Sequence, residues 1–169
     1  MQILSGKGQA RQRYSMRILC AAICFALANA AVLASDEQPA LIPYEVVDEM
    51  TIPSALTETP GDTNRGRAVV ADRKLGNCLA CHQIGTMNDL PFHGDIAPTL
   101  DGLADRYTAG EIRLLVINPK IVFPDTLMPA FYRVDGLHRV AREFQGKPIL
   151  TAHQIEDVVA FLMTLKDEE

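Results

Sequence analysis

The feature that most constrains this chain is a run of five residues, Cys78-Leu79-Ala80-Cys81-His82. Two residues between the cysteines allow both sulfurs to reach one edge of a porphyrin, and the adjoining imidazole then lies beneath the ring centre. The pattern is typical of covalent c-type haem attachment. We therefore predict one covalent haem c, held by thioether bonds from Cys78 and Cys81, with His82 as the proximal iron ligand.

A Cys-x-x-Cys pair alone is ambiguous, because it also occurs in redox dithiols and in zinc sites. A four-ligand zinc site would need a second Cys or His pair at close spacing, whereas His93, His138 and His153 are isolated from one another. A thioredoxin-like dithiol would lie between a strand and a helix of a βαβ unit, and no such pattern surrounds this pair. The adjoining histidine therefore favours haem over both alternatives.

The N-terminus has the order of a secretory leader. Four basic residues precede an apolar run at 18–28, and small residues follow at 28–30 and 32–34. We predict a signal peptide over residues 1–34, cleaved near 30–34, and a periplasmic location. A retained anchor is the alternative, but the run is shorter than the ~20 apolar residues that span a bilayer, so no membrane anchor is expected.

Removal of the leader makes the chain strongly acidic. The leader carries four of the 16 basic residues and none of the 21 acidic ones, so the remainder has a formal charge of −9. This charge argues against nucleic acid or an anionic membrane as a partner. It fits either a basic patch on another protein or a solvated acidic surface that aids solubility. Cys20 and Cys24 leave with the leader, so Cys78 and Cys81 have no structural disulfide to form.

Residues 35–60 hold four prolines and no helical period, which predicts an extended N-terminal arm with a short turn at 46–50. Such an arm wraps its own domain, wraps a partner subunit or acts as a mobile linker. Residues 61–169 form the predicted main domain.

That domain is predicted to be mainly helical. A first helix is expected over 62–75, capped by Asp62 or Thr63 and closed by Gly76. Capping boxes predict helices that begin at Thr108, with Glu111 as partner, and at Thr151, with Gln154 as partner. Asn118-Pro119 is expected to end the second helix. Between these helices, residues 83–107 read as a loop with at most a short turn.

The second axial ligand decides whether the iron carries electrons or stays open to small molecules. Met128 is the best candidate, because it lies 46 residues after His82 in a loop stiffened by Pro124 and Pro129. His93 is the main alternative and would give a bis-histidine site. The other methionines are less suitable, being in the arm, too near His82 or on the last helix: Met50, Met87 and Met163.

Two further residues are candidates around the haem. A carbonyl in Ala97-Pro98-Thr99-Leu100 could accept the Nδ1–H of His82, which makes Pro98 a candidate. Arg106, with Tyr107, could bind a haem propionate; Arg113 and Arg133 are alternatives for that role.

Taken together, four segments resemble the SoxX family, the monohaem cytochrome c subunits of thiosulfate-oxidising SoxAX complexes. The segments are Gly76-Asn77-Cys78-Leu79-Ala80-Cys81-His82, Ile96-Ala97-Pro98-Thr99-Leu100, Met128-Pro129-Ala130-Phe131 and Ile155-Glu156-Asp157-Val158-Val159-Ala160-Phe161-Leu162. The resemblance spans about residues 60–166. It departs from the family after the haem motif, where a proline would be expected near Ile84.

The resemblance implies an all-α class I cytochrome c fold, in which three to five helices surround the haem. It implies an electron-transfer subunit without catalytic residues of its own in an L-cysteine S-thiosulfotransferase. The implied partners are SoxA, the SoxYZ carrier and a soluble cytochrome c acceptor, and the proline arm becomes a candidate for wrapping SoxA. A free-standing diffusible cytochrome c is the alternative function, and an open-iron sensor or peroxidase-like enzyme is a third.

Overall fold

The structure is a computed structural model that describes residues 41–167; the predicted signal peptide and the first part of the arm lie outside the described residues. Within that range the regular elements are helical, as predicted: α1 (Thr63–Ala71), α2 (Leu103–Arg106), α3 (Ala109–Ile117) and α4 (Ala152–Leu162), with single 3₁₀ turns at Cys78–Ala80, Gly85–Met87 and Arg142–Phe144. No helix among these residues has both the length and the apolar character needed to cross a membrane. The short helix α2 and the turn at Gly85–Met87 both lie in 83–107, so the prediction of a loop with at most one short turn there is wrong.

The helix starts follow from the capping residues in the sequence. The Asp62 carboxylate accepts the Arg65 amide at 2.8 Å and begins α1. Both predicted capping boxes form, Thr108 with Glu111 at the start of α3 and Thr151 with Gln154 at the start of α4. Each box satisfies donors that a helix N-terminus leaves without intrahelical partners.

The first helix is shorter than predicted, ending at Ala71 rather than near residue 75. Asp72 adopts an extended conformation, and its carboxylate accepts the Lys74 amide at 2.7 Å. Its carbonyl also accepts the amides of Leu75 and Asn77. An aspartate that bonds the backbone two residues onward stabilises a turn in competition with the helix, which explains the early end.

Helix α4 is the centre of the core, since α1 and α3 both pack against it. Its apolar side chains recur at helical spacing and are buried, as the sequence predicts: Ile155, Val158, Val159 and Leu162. Val69 and Val70 face it from α1, and the buried side chains of α3 complete the core. The loops that carry the haem motif and Met128 therefore begin from helices fixed on one common element.

The crossing of α1 and α4 depends on two glycines. A Cβ at Gly66 would collide with the carbonyl oxygen of Asp157 and lie 2.7 Å from the Cβ of Phe161. A Cβ at Gly61 would likewise collide with the carbonyl of Glu156. The two backbones therefore approach more closely than any side chain would allow.

From residue 41 onward, the predicted arm packs on its own domain. The expected turn is present, closed by a bridge between Val47 and Thr51. Ile52 and Leu56 are buried in the core, and the Ile52 amide donates to the Gly110 carbonyl at 3.1 Å. These residues are thus part of the main domain's packing, although they lie before the predicted limit at residue 61.

A buried ion pair joins the arm to α3 and α4. The guanidinium of Arg113 donates to both carboxylate oxygens of Glu156, at 2.8 and 2.9 Å. The remaining groups are also bonded, Arg113 Nη1 to the Ile52 carbonyl at 2.8 Å and the Leu56 amide to Glu156 Oε1 at 2.9 Å. A buried pair in which each nitrogen and each carboxylate oxygen is hydrogen-bonded holds these three segments in one arrangement. Arg113 is therefore engaged internally and is a poor alternative to Arg106 at a propionate.

The neighbouring carboxylate, Asp157, fixes the start of α1. It accepts the Asp62 amide at 2.7 Å and two hydrogen bonds from Arg65, both at 2.8 Å. Burial acts to raise the pKa of Asp157, but the hydrogen bonds from Arg65 and Asp62 outweigh it and hold the pKa below its ordinary value. The charged form of Asp157 is thus favoured in the folded protein.

We predict that Gly66→Ala destabilises the protein by about 2 kcal/mol or more, because the added methyl group forces α1 away from α4. Urea unfolding of the holoprotein measures the loss. Asn64→Ala, at an exposed position of the same helix, is the matched control and should change stability by less than about 0.5 kcal/mol. Equal midpoints for the two variants would contradict a backbone contact at this crossing.

We also predict an acid-sensitive contribution from Asp157. Because its pKa is lowered on folding, its contribution is complete above the ordinary pKa of about 4 and is lost as pH falls through the folded value. Asp157→Asn should therefore cost about 1–3 kcal/mol at pH 7 and progressively less at lower pH. Denaturation at several pH values tests this, with the exposed Asp135→Asn as control. A loss of stability in Asp157→Asn that does not change with pH would contradict a role for the negative charge of Asp157.

Candidate haem site

The haem motif forms one closed turn, which begins seven residues after the end of α1. Cys78–Ala80 is a 3₁₀ turn, and the Cys78 carbonyl accepts the amides of Cys81 and His82 at 3.1 and 2.9 Å. Asn77, with φ of 49°, reverses the chain ahead of it. A Cβ at Gly76 would lie 2.7 Å from the Val69 carbonyl oxygen, so only glycine lets this turn approach the end of α1 so closely.

The imidazole of His82 is oriented by the loop that follows. Its Nδ1 lies 2.7 Å from the carbonyl oxygen of Pro98. With the proton on Nδ1, this nitrogen donates to the carbonyl, and the lone pair of Nε2 is left for a metal. The loop is tied to the motif by the Ala97 amide, which donates to the Cys81 carbonyl at 3.1 Å. The arrangement suits a proximal iron ligand.

Arg106 braces this same loop. Its guanidinium donates to the carbonyl of Asp101 at 2.9 Å and to that of Thr99 at 3.4 Å. Arg106 thereby supports the segment that carries Pro98. Its predicted binding of a haem propionate stays a prediction, as do the cofactor-binding roles of the other named residues.

The environment of Cys78 suits a thioether better than a thiolate. Burial is the main cause that raises the pKa of the Cys78 thiol to about 12, and the nearby Cys81 contributes in the same direction. A thiolate ligand or redox nucleophile normally has a lowered pKa. A thioether carries no charge, so its burial has no such cost, and the sulfur chemistry of this turn fits covalent haem attachment.

His93 is part of the scaffold beneath the motif. Its Nδ1 accepts the Ile84 amide at 3.3 Å, and its Nε2 donates to the Met87 carbonyl at 3.2 Å. Ile84 and Met87 are fully buried, so these contacts fix the chain just after the haem motif. Because both ring nitrogens are engaged, the geometry disfavours His93 as the second iron ligand.

Met128 lies in the loop between α3 and α4 and packs, half-buried, against the hydrophobic core. The side chain of Leu127 beside it is 90% exposed. In the loop after the haem motif, Phe92 is 79% exposed and Ile96 is 72% exposed. The two sulfurs of Cys78 and Cys81 and the imidazole of His82 lie in one turn and fit haem c, and Met128 as second ligand stays a prediction.

Sequence reasoning missed two residues that shape the site. Asp101 accepts the Gly85 amide at 2.7 Å and the Thr99 hydroxyl at 3.0 Å, which joins the two ends of the loop after the motif. The spacing Thr99-x-Asp101 is a turn signal that could have indicated it. Lys120 lies at the start of the Met128 loop and donates to the carbonyls of Thr126 and Met128. No local sequence pattern predicts a lysine whose partners are backbone carbonyls.

Comparisons with known proteins agree with this geometry. The sequence profile of the cytochrome c family, described as "Cytochrome c", matches residues 63–166. The chain is also similar to a chain in the crystal structure of SoxXA from P. pantotrophus, with 49% sequence identity and a TM-score of 0.68 over 72% of this chain and 94% of that chain. No match was found among curated protein sequences.

We predict that Met128→Ala removes the long-wavelength absorption band given by methionine bound to ferric haem and lowers the reduction potential, because a thioether ligand raises it. His93→Gln should retain the band but lose about 1–3 kcal/mol of stability, since buried backbone groups at Ile84 and Met87 lose partners. Visible spectra and urea unfolding of both holoproteins measure these effects. If the spectrum changed in His93→Gln and not in Met128→Ala, His93 would be the second iron ligand and Met128 would not.

Proposed function

Because the chain belongs to the cytochrome c family and is a SoxX-type monohaem cytochrome with covalent haem c, we propose that it is the electron-transfer subunit of a SoxAX L-cysteine S-thiosulfotransferase. The observation that carries the proposal is the 49% identity to a chain of SoxXA, which extends over 94% of that chain. The partner is SoxA, the location is the periplasm, and electrons pass from the SoxA haem site to a soluble cytochrome c through this chain.

The reaction of the complex explains why such a subunit is needed. Joining thiosulfate to a carrier cysteine, on SoxYZ, forms a sulfur–sulfur bond and releases two electrons and one proton. Haem c supplies a one-electron Fe(III)/Fe(II) couple when bound. This chain contributes no catalytic nucleophile in the proposal, because Cys78 and Cys81 are both used for attachment; the bond-forming step belongs to the partner.

The residues of this chain act by orientation and by charge. The Pro98 carbonyl orients the ring of His82, and Arg106 braces the loop that carries Pro98. His82 and Met128 would hold the haem iron and leave no open position for substrate, in keeping with outer-sphere transfer. The formal charge of −9 after leader removal supports docking against a basic patch on the partner or the acceptor. In the arm, Ile52 and Leu56 are buried in the core of this chain, so any contact of residues 41–60 with SoxA would use the exposed side chains around them.

We predict that this chain co-purifies with tagged SoxA after co-expression in a host that attaches haem c. The haem of the complex should then be reduced by thiosulfate only when SoxYZ is present. The matched control is Met128→Ala, which should still co-purify but accept electrons more slowly because its potential is lower. Measured quantities are the stoichiometry of the purified complex and the rate of haem reduction.

Failure to co-purify, together with rapid reduction by respiratory donors, would instead support a free-standing electron carrier. Rapid binding of carbon monoxide by the reduced wild-type protein would indicate an open iron and a sensor or peroxidase-like role.

A further inference from the structure

The loop that carries Met128 is anchored at both ends on α3. It begins at Asn118-Pro119, where α3 ends, and the Asn118 amide donates to the Leu114 carbonyl at 2.8 Å. It ends at Phe131 and Tyr132, both buried, whose amides donate to the carbonyls of Val116 and Ile117, each at 3.2 Å. The two ends therefore lie side by side, and residues 119–130 form a closed loop.

Within the loop, a series of short-range hydrogen bonds leads toward Met128. The Phe123 amide donates to the Pro119 carbonyl at 2.8 Å, and the Thr126 amide donates to the Phe123 carbonyl at 3.1 Å. The Met128 amide then donates to the Thr126 hydroxyl at 3.2 Å. These bonds shape the individual turns, but none of them crosses from the start of the loop to Met128 itself.

Lys120 makes that crossing. Its ammonium donates to the carbonyl of Met128 at 2.9 Å and also to the carbonyl of Thr126. The side chain is half-buried, and no ion pair of Lys120 with a carboxylate occurs among residues 41–167. The Lys120 ammonium is hydrogen-bonded to two backbone carbonyls and not to a carboxylate. These bonds connect the backbone before and after the Met128 side chain to the fixed start of the loop.

We propose that Lys120 is a positioning residue for the distal iron ligand: by bonding the carbonyls on either side of Leu127, it holds the Met128 thioether in place. The inference rests on Met128 as the ligand in the function proposed above. A thioether binds iron weakly, so its occupancy depends on a loop already ordered in the bound conformation. Without Lys120 the loop gains alternative conformations, and external ligands compete more easily for the iron.

The test uses the holoprotein with three variants: Lys120→Met, which keeps the apolar stem without the donor; Lys120→Arg, which keeps the charge; and Lys147→Met, the same change at an exposed lysine. Imidazole titrated into the ferric protein displaces the methionine, and loss of the methionine–iron band gives its apparent Kd. We expect a ~10–100-fold lower Kd in Lys120→Met, the effect of losing a hydrogen bond to a charged donor. Lys120→Arg should lie between it and the wild type, and Lys147→Met should match the wild type.

An unchanged imidazole Kd in Lys120→Met, with the band intact in the wild type, would overturn the role of Lys120 while leaving Met128 as ligand. A wild-type spectrum without the band would overturn the ligand assignment itself, and the inference with it. Should Lys120→Met not yield folded holoprotein, Lys120→Arg is heated alongside the wild type. The role is supported if Lys120→Arg loses the methionine–iron band at a temperature well below the one at which it loses helical circular dichroism. It is contradicted if the two transitions occur at the same temperature.

Discussion

The close crossing of α1 over α4 at Gly66 is the constraint on which the rest of the described structure depends. The haem motif begins seven residues after the end of α1, so the position of α1 sets the position of Cys78, Cys81 and His82. Helix α3, which leads into the Met128 loop, packs on the same α4. The two segments proposed to supply the axial ligands thus share one reference element, although 46 residues of sequence separate His82 from Met128.

Two adjacent carboxylates of α4 connect it to its neighbours. Asp157 accepts from the start of α1, whereas Glu156 is bonded to Arg113 of α3 and to the arm. One apolar face could bury both helices without fixing how far each slides along α4. Hydrogen bonds to charged groups are directional, and a partner left unpaired in the interior is costly, so the two side chains select one register.

The sequence predicts local features well and long-range partners poorly. The capping boxes at Thr108 and Thr151 were predicted because their donors and acceptors lie three residues apart and need no tertiary contact. The prediction that α1 extends to about residue 75 is wrong, because Asp72 stabilises a turn that competes with a continuing helix. The fixed conformation of residues 47–56 depends on Gly110, Arg113 and Glu156, which lie far along the chain, and composition alone left that arm ambiguous.

The loops of the candidate site are stabilised in a way that helices are not, by cationic side chains bonded to backbone carbonyls. Arg106 braces the loop that holds Pro98 against His82, and Lys120 braces the loop that holds Met128. A loop without a hydrogen-bond ladder would otherwise sample several conformations at low cost. An electron-transfer site works best when its ligands keep the same positions in both oxidation states, and hydrogen bonds from a cationic side chain to main-chain oxygens order a loop without requiring a helix or a strand.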